Sequence, residues 1–216
     1  MSVADAPPRV LPGLLRGEPD PVQLALAERR GADPNGTFCA AVLPGAADPR
    51  WTDSWAECAQ LDGRTILLAQ VADPATLRAR LGAAAGPIGL GLARVAWAGA
   101  QASCVDALQA HELADRRGVD ASFGDDWVAA TLLAARDRLA DTCAQGEQVA
   151  ARSAHLADAV RAFAANGLSV VAAARALHVH PNTVIYRLDR WQRLTGWDAR
   201  SYPGLAKSMA CLEAAS

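Results

Sequence analysis

The stretch from residue 168 to residue 196 constrains the fold most, because it predicts two short helices separated by only three residues. Ser169 is well placed to cap a first helix over residues 170–177. The run His178-Val179-His180 interrupts that helix. Pro181 then stands at the first position of a second helix, where its missing N–H costs nothing. We expect the second helix to run from Pro181 to about Leu194, and the glycine at the end of the stretch to stop it.

The apolar residues of this stretch predict how the two helices pack. Helices joined by so short a turn must cross at a steep angle, so small side chains are needed where they touch, and Ala173 and Ala174 supply them. On the second helix Val184, Leu188 and Trp191 recur at i, i+4 and i+7 and therefore share one side. The predicted core consists of Val170, Ala174, Leu177, Val179, Val184, Leu188 and Trp191.

The opposite side of the second helix is polar and basic. It carries Asn182, Tyr186, Asp189, Arg190 and Arg193, with Thr183 and Arg187 on its flank. Asn pairs with adenine edges, Arg pairs with guanine edges or phosphates, and a free helix N-terminus favours a nearby phosphate. This pattern is typical of a helix that enters the major groove of DNA. The predicted groove contacts are Asn182, Thr183 and Tyr186, the predicted backbone contacts are Arg187, Arg190 and Arg193, and His180 at the turn joins either group.

The charge of the chain is divided unevenly. The net charge is −2 over 216 residues, but from Ala151 onward eight Lys or Arg stand against four Asp or Glu, which gives +4 and leaves −6 for the part before. A basic end on an acidic body indicates that one end meets a polyanion. An ordinary helical hairpin with a polar, solvated outer face would show the same spacing, so the spacing alone leaves both interpretations open.

The earlier part of the chain alternates between strand and helix signals. Apolar runs over 37–43, 65–71 and 88–97 predict strands, and Asp62-Gly63 predicts a hairpin turn. Helices are predicted to begin at Asp20-Pro21 and Asp73-Pro74, and Ser103 is expected to cap a third helix that ends at Gly118. Interleaved strands and helices predict an α/β domain followed by an all-α helix-turn-helix domain. The expected divisions are an N-terminal loop and helix (1–35), the α/β domain (36–123), a connecting helix (124–150) and the helix-turn-helix domain (151–216).

The second half of the chain also resembles a known family. The run from Ala172 to Leu188, AAARALHVHPNTVIYRL, and its continuation in Leu194-Thr195-Gly196 resemble the C-terminal DNA-binding domain of the PucR/CdaR family of bacterial regulators. The string His-x-Asn-Thr-x-x-Tyr-Arg-Leu from His180 to Leu188 is the specific part of this likeness. The helix pair is also similar to that of Fis-type proteins. The resemblance implies a sequence-specific transcriptional regulator that binds double-stranded DNA.

The resemblance extends, more loosely, to the first half. Leu14-Leu15-Arg16-Gly17, the helix ending at Gly31 and residues 103–110 are similar to that family's middle domain, a degenerate relative of the GGDEF fold. A GGDEF relative raises the possibility of cyclic-dinucleotide synthesis. No Gly-Gly-acidic signature occurs, however, and the hairpin turn offers only Leu61-Asp62-Gly63-Arg64. Without carboxylates to hold a metal on a triphosphate, phosphoryl transfer has no electrostatic support, so we expect no enzymatic activity.

The remaining expectations concern ligands, partners and compartment. Five dispersed cysteines without a CxxC pair predict free thiols in a reducing cytosol, and no leader or membrane span is expected, so a cytoplasmic location is predicted. His178 and His180 lack a third nearby ligand, so neither a metal nor a cofactor is expected. We expect a homodimer, because two-fold symmetry doubles the interface on a palindromic site, and the α/β domain would dimerise or hold an unknown effector. The alternative is an effector-sensing or protein-interaction module whose helical end docks on a protein.

Overall fold

A computed structural model describes residues 9–46, 51, 55–82 and 86–215. The chain divides into two compact units, with the boundary between Thr131 and Leu132. The first unit combines a mixed β-sheet with helices, and the second is entirely helical in its described part. This arrangement confirms the predicted order of an α/β part followed by a helical part. Among the described residues, no helix combines the length and the apolar character that a membrane crossing requires.

The described residues of the first unit contain six strands in one sheet. They are β1 (Thr37–Pro44), β2 (Ala56–Leu61), β3 (Arg64–Gln70), β4 (Gly89–Leu90), β5 (Arg94–Val95) and β6 (Ala121–Ser122). The strand order is β2-β3-β1-β4-β6, with β5 paired to β1. Strands β2 and β3 form the predicted hairpin, and its turn residues Asp62 and Gly63 have φ values of 49° and 78°. Two left-handed residues are what a two-residue hairpin turn of type I′ requires.

Strand β1 is buried on both faces of the sheet. Phe38, Ala40 and Val42 face one apolar cluster, which also contains residues of the helices α1 (Leu11–Arg16), α2 (Pro21–Arg29) and α4 (Ala96–Arg117). Cys39, Ala41 and Leu43 face the other cluster, which includes Leu77 and Leu81 of α3 (Pro74–Leu81). Alternate side chains of a strand point to opposite faces, so a continuous apolar run is the pattern expected of a strand that is covered on both sides.

The predicted helix starts in the first unit are confirmed at two positions. The Asp20 side chain accepts a hydrogen bond from the Val22 N–H, and the Asp73 side chain accepts one from the Thr76 N–H, so each caps a helix with proline at its first position. The loop predicted before Asp20 is partly wrong, because residues 11–16 form α1 despite Pro12 and Gly13. The N-terminal end of α1 is held by a residue of the sheet, because the Glu57 carboxylate on β2 accepts hydrogen bonds from the N–H groups of Val10 and Leu11.

The predicted third strand is confirmed only in part, and the predicted Ser103 cap is wrong. Only Gly89–Leu90 and Arg94–Val95 pair as strands in this region, and helix α4 already begins at Ala96. Ser103 is fully buried in mid-helix, where its hydroxyl accepts a hydrogen bond from the Ala40 N–H (2.9 Å) and donates one to the Leu92 carbonyl (2.6 Å). The hydroxyl therefore joins the helix to the sheet instead of capping the helix.

Two glycines of this region explain why α4 lies so close to the sheet. A Cβ at Gly89 would overlap the backbone of His111, and one at Gly91 would overlap the carbonyl of Ser103. The two glycines thus let α4 lie directly on the sheet. His111 on α4 is in consequence only 1% exposed.

The second unit is built from helices that pack around one apolar core. Helix α5 (Phe123–Ala134) leads into it, and the following helices are α6 (Arg136–Arg152), α7 (Ala154–Ala165), α8 (Val170–Ala176), α9 (Pro181–Thr195) and α10 (Tyr202–Ala215). The single connecting helix predicted over residues 124–150 is instead two helices, α5 and α6, with a break at Ala135. The predicted core is confirmed. Ala174, Val184, Leu188 and Trp191 are buried, and Val170, Leu177 and Val179 pack against them.

The turn between α8 and α9 has the hydrogen bonds of a Schellman motif. The His178 N–H donates to the Arg175 carbonyl, and the Val179 N–H donates to the Ala174 carbonyl. This motif requires a left-handed residue after the helix, and His178 occupies that position with a φ of 54°. Glycine is the residue that adopts this conformation without strain, so a histidine here carries a conformational cost of about 1–2 kcal/mol.

This strain gives a testable ranking of side chains at position 178. We expect His178→Gly to leave the free energy of unfolding unchanged or slightly higher, because the imidazole is exposed and its loss removes no packing. We expect His178→Val to lower it by about 1–2 kcal/mol, since a β-branched side chain is worst suited to positive φ. Urea denaturation followed by circular dichroism measures both. His155→Val, at an exposed helical position, is the control, and equal losses for the two valine variants would contradict the strain.

Burial of the inner side of α9 gives a second prediction. We expect Val184→Asp to destabilise the helical unit by about 4 kcal/mol or more, because Val184 is fully buried and the substitution buries an unpaired charge. Ile185→Asp is the matched control, since the neighbouring side chain is 40% exposed. Amide hydrogen exchange of α9 in the full chain measures the difference. Retained protection in the Val184→Asp variant would contradict the assignment of the core.

Candidate nucleic-acid interface

Helix α9 begins at a cap made by a histidine. His180 has extended backbone angles, and its Nδ1 accepts a hydrogen bond from the Asn182 N–H at 3.2 Å. An accepting Nδ1 carries no proton, so in the neutral ring the proton lies on Nε2. Pro181 follows at the first helical position, as predicted, and Gly196 ends the helix with a φ of 77°. His180 thus caps the start of the helix, and its side chain is also exposed there.

One side of α9 is anchored in the core. Val184, Leu188 and Trp191 are fully buried, and the Trp191 Nε1–H donates a 2.9 Å hydrogen bond to the buried Ser208 hydroxyl on α10. The indole therefore buries its large ring without leaving its N–H unpaired. Because helical spacing is regular, anchoring these residues determines which residues α9 presents on the other side.

The predicted site residues all lie at the start of α9 or on its solvent-accessible side. His180, Asn182, Tyr186, Arg190 and Arg193 are exposed, and Thr183 and Arg187 are half-buried. Tyr186 is 58% exposed, which is unusual for an aromatic side chain in the middle of a helix. The structure therefore places these residues on the accessible side of α9, which carries amide, hydroxyl and guanidinium groups.

Within the described part of the chain, the arginines of this face have no partners. Arg187, Arg190 and Arg193 make no ion pair or hydrogen bond with any residue that the structure describes. The Asn182 amide and the Tyr186 hydroxyl are also free of partners within the described residues. Three guanidiniums that are not committed to carboxylates can bind phosphate oxygens without first breaking an ion pair.

The one carboxylate of the face, Asp189, is held by a residue that sequence reasoning did not assign. Arg200 follows α9 in the chain, and its Nη2 lies 2.8 Å from Asp189 Oδ1 and 3.1 Å from Gln192 Oε1. Its Nε lies 2.9 Å from Asp198 Oδ1. Hydrogen bonds from the side chain and backbone of Arg200 lower the pKa of Asp198. No local sequence pattern links residues 189 and 200, so this contact was missed.

Two open depressions lie on the surface of the described residues. One of about 580 Å³ lies at the C-terminal half of α9 and is lined by Asp189, Gln192, Arg193 and Gly196. Another of about 480 Å³ in the first unit lies along β2, beside Glu57, whose carboxylate already binds the start of α1. Burial raises the pKa of Glu57. Within the described residues, no group of three or more His, Cys, Asp or Glu side chains is placed to hold a metal ion.

The comparisons with known proteins bear on the helical unit. A search of curated proteins gives no match. Among solved structures, the chain is similar to a regulator of polyketide synthase expression from Bifidobacterium adolescentis, with 21% identity and a TM-score of 0.48 over 95% of this chain and 90% of that one. Residues 156–214 match the model of the PucR C-terminal helix-turn-helix domain, which confirms the resemblance inferred from the run at 172–188. This match is confined to the C-terminal part of the chain, which is therefore similar to the helix-turn-helix domain of PucR proteins.

Proposed function

We propose that this protein is a transcriptional regulator that binds double-stranded DNA in a sequence-specific manner, with α9 in the major groove. The observation that carries the proposal is the division of α9 into a buried side and an exposed side with three arginines that pair with no described residue. A helix of this kind, following a short first helix and a tight turn, has the geometry of a recognition helix. The PucR-type domain over residues 156–214 supports the same conclusion.

The side chains of the outer face divide between two tasks. Asn182, Thr183 and Tyr186 lie in the first two turns of α9, and residues near the N-terminus of a recognition helix contact base edges. Arg187, Arg190 and Arg193 are long and unpaired, and they bind phosphates on either side of the groove. His180 caps the helix through Nδ1, so its Nε2–H is the donor available to DNA.

The protein acts as a homodimer on two half-sites in this proposal. One helix-turn-helix unit covers few base pairs, and two-fold symmetry doubles the number of contacts. The first unit, a reduced relative of the GGDEF fold as the upstream resemblance implies, dimerises or binds an effector. Its hairpin turn between β2 and β3 offers a single acidic side chain, Asp62, which supports a regulatory role without catalysis.

The competing function is docking of the helical unit on a protein partner. Tyr186 and Ile185, both exposed on α9, favour it, because exposed apolar and aromatic side chains are common in protein interfaces. The dependence of affinity on salt separates the two functions. Binding to DNA weakens steeply as salt rises, because it releases counterions from the phosphates.

The first prediction of this function concerns the unpaired arginines. We expect Arg187→Ala and Arg190→Ala each to weaken binding to every duplex and to lower the slope of log K against log salt by about 1, since each removes one phosphate contact. Fluorescence anisotropy with random-sequence duplexes over a salt series measures this. Arg138→Ala on α6, an exposed arginine that likewise pairs with no described residue, should leave the slope unchanged. Equal slopes for all variants would contradict backbone contact.

The second prediction concerns Asn182. We expect Asn182→Ala to reduce discrimination at one base pair by about 1–3 kcal/mol, because an Asn amide pairs with a base edge, while the salt slope stays the same. Selection of bound sequences from a random duplex library measures base preference position by position. Gln148→Ala on α6, another exposed amide, is the control. If Asn182→Ala leaves every position unaltered, its contact with a base is refuted.

A further inference from the structure

The placement of Asp189 is at odds with a helix that approaches DNA. Asn182, Tyr186, Asp189 and Arg193 follow one another at i, i+4, i+7 and i+11, so they form a single line along α9 opposite the buried residues Val184, Leu188 and Trp191. Asp189 thus occupies the middle of the outer face. A carboxylate there is repelled by the phosphates on both sides of the groove. The presence of Asp189 on this face therefore calls for a functional explanation.

Arg200, and not Arg193, reduces the repulsion between Asp189 and the DNA phosphates. Arg193 stands four residues after Asp189, the spacing of a helical ion pair, yet it makes no bond with Asp189. The partner of Asp189 is Arg200, at 2.8 Å, from outside the helix. Arg193 therefore remains available for phosphate while the charge of Asp189 is neutralised from one side.

The bridge also sets the direction of the carboxylate. Arg200 is bound to Asp198 by its Nε and to Gln192 by its Nη2, so its guanidinium is held before it meets Asp189. The bridge engages Oδ1, and Oδ2 accepts no hydrogen bond from any described residue. The Asp189 side chain is 46% exposed. The result is a fixed, partly neutralised carboxylate with one free acceptor oxygen on the outer face.

The chemistry of the major groove determines which base suits such an acceptor. Guanine presents two acceptors and thymine presents an acceptor and a methyl group, so both repel or fail to bond a carboxylate. Adenine presents a donor beside an acceptor, N7, which disfavours a negative charge. Cytosine presents only a donor, the N4 amino group. A free carboxylate oxygen therefore selects cytosine over the other three bases.

We propose that Asp189 reads a cytosine in the bound DNA through Oδ2, and that Arg200 is its positioning residue. The inference rests on the proposed function, because it requires α9 to lie in the major groove. It adds a negative, base-selecting contact to a face otherwise composed of amide, hydroxyl and guanidinium groups. It also gives Arg200 a task other than phosphate binding, since its two carboxylate neighbours make it a poor partner for a further anion.

The test is selection of bound sequences from a random duplex library with the full-length protein and its Asp189→Ala, Asp189→Asn, Arg200→Ala and Arg200→Lys variants. Wild type should enrich sites with a cytosine that is preferred by about tenfold over guanine or thymine. In Asp189→Ala this preference should vanish at that position alone, and in Asp189→Asn it should change to adenine, which an amide pairs with. Arg200→Ala should weaken the preference, and Arg200→Lys should partly restore it.

Several outcomes would overturn the inference. Identical enriched sites for wild type and the Asp189 variants would show that Asp189 reads no base, while enrichment by wild type would leave the proposed function intact. A salt slope that falls by about 1 in Arg200→Ala would make Arg200 a phosphate contact instead of a positioning residue. If wild type enriches no sequence at all, the proposed function fails and this inference fails with it. Thermal melts of each variant exclude loss of folding as the cause.

Discussion

The anchoring of α9 through Val184, Leu188 and Trp191 is the constraint on which the rest of the second unit depends. These side chains are fully buried, and Trp191 adds a hydrogen bond to Ser208 on α10. Rotation of α9 by one residue would bring Trp191 or Leu188 toward water and a charged side chain into the core, each at a cost of several kcal/mol. The orientation of the polar face is therefore set by the apolar one. Packing in the core does not constrain which residues stand on the exposed face, so those residues can be suited to binding.

The turn before α9 supplies the second part of this geometry. The Schellman bonds at the end of α8 and the cap at His180 leave four residues between the helices, Leu177 to His180, and the last three of them shape the turn. His178 adopts the left-handed conformation, Val179 packs on the core, and His180 starts the next helix. Tight turns of this type hold the crossing of two helices in one arrangement, so the recognition face does not depend on a flexible loop.

Local signals in the sequence predicted much of this structure, and the contacts that they missed are long-range. Helix caps at Asp20, Asp73 and Ser169 and the proline at position 181 depend on neighbouring residues alone, which is why they were found. Strand β2, with the sequence AECAQL, lacks a β-branched pattern and becomes a strand only by pairing with β3. The early start of α4 depends on close packing against Gly89 and Gly91. The bridge from Arg200 to Asp189 spans a helix end and a loop.

The central claim is that the outer face of α9 contacts duplex DNA, and the two tyrosines of the chain allow a direct test. Tyr186 lies on that face, and Tyr202, at the start of α10, is 87% exposed. The full-length protein labelled with 3-fluorotyrosine gives two ¹⁹F resonances, which Tyr202→Phe assigns. Addition of a random-sequence duplex at low salt should shift the Tyr186 resonance and reduce its H₂O/D₂O solvent effect, with little change at Tyr202. A bound complex in which the Tyr186 resonance stays unaltered would contradict the account.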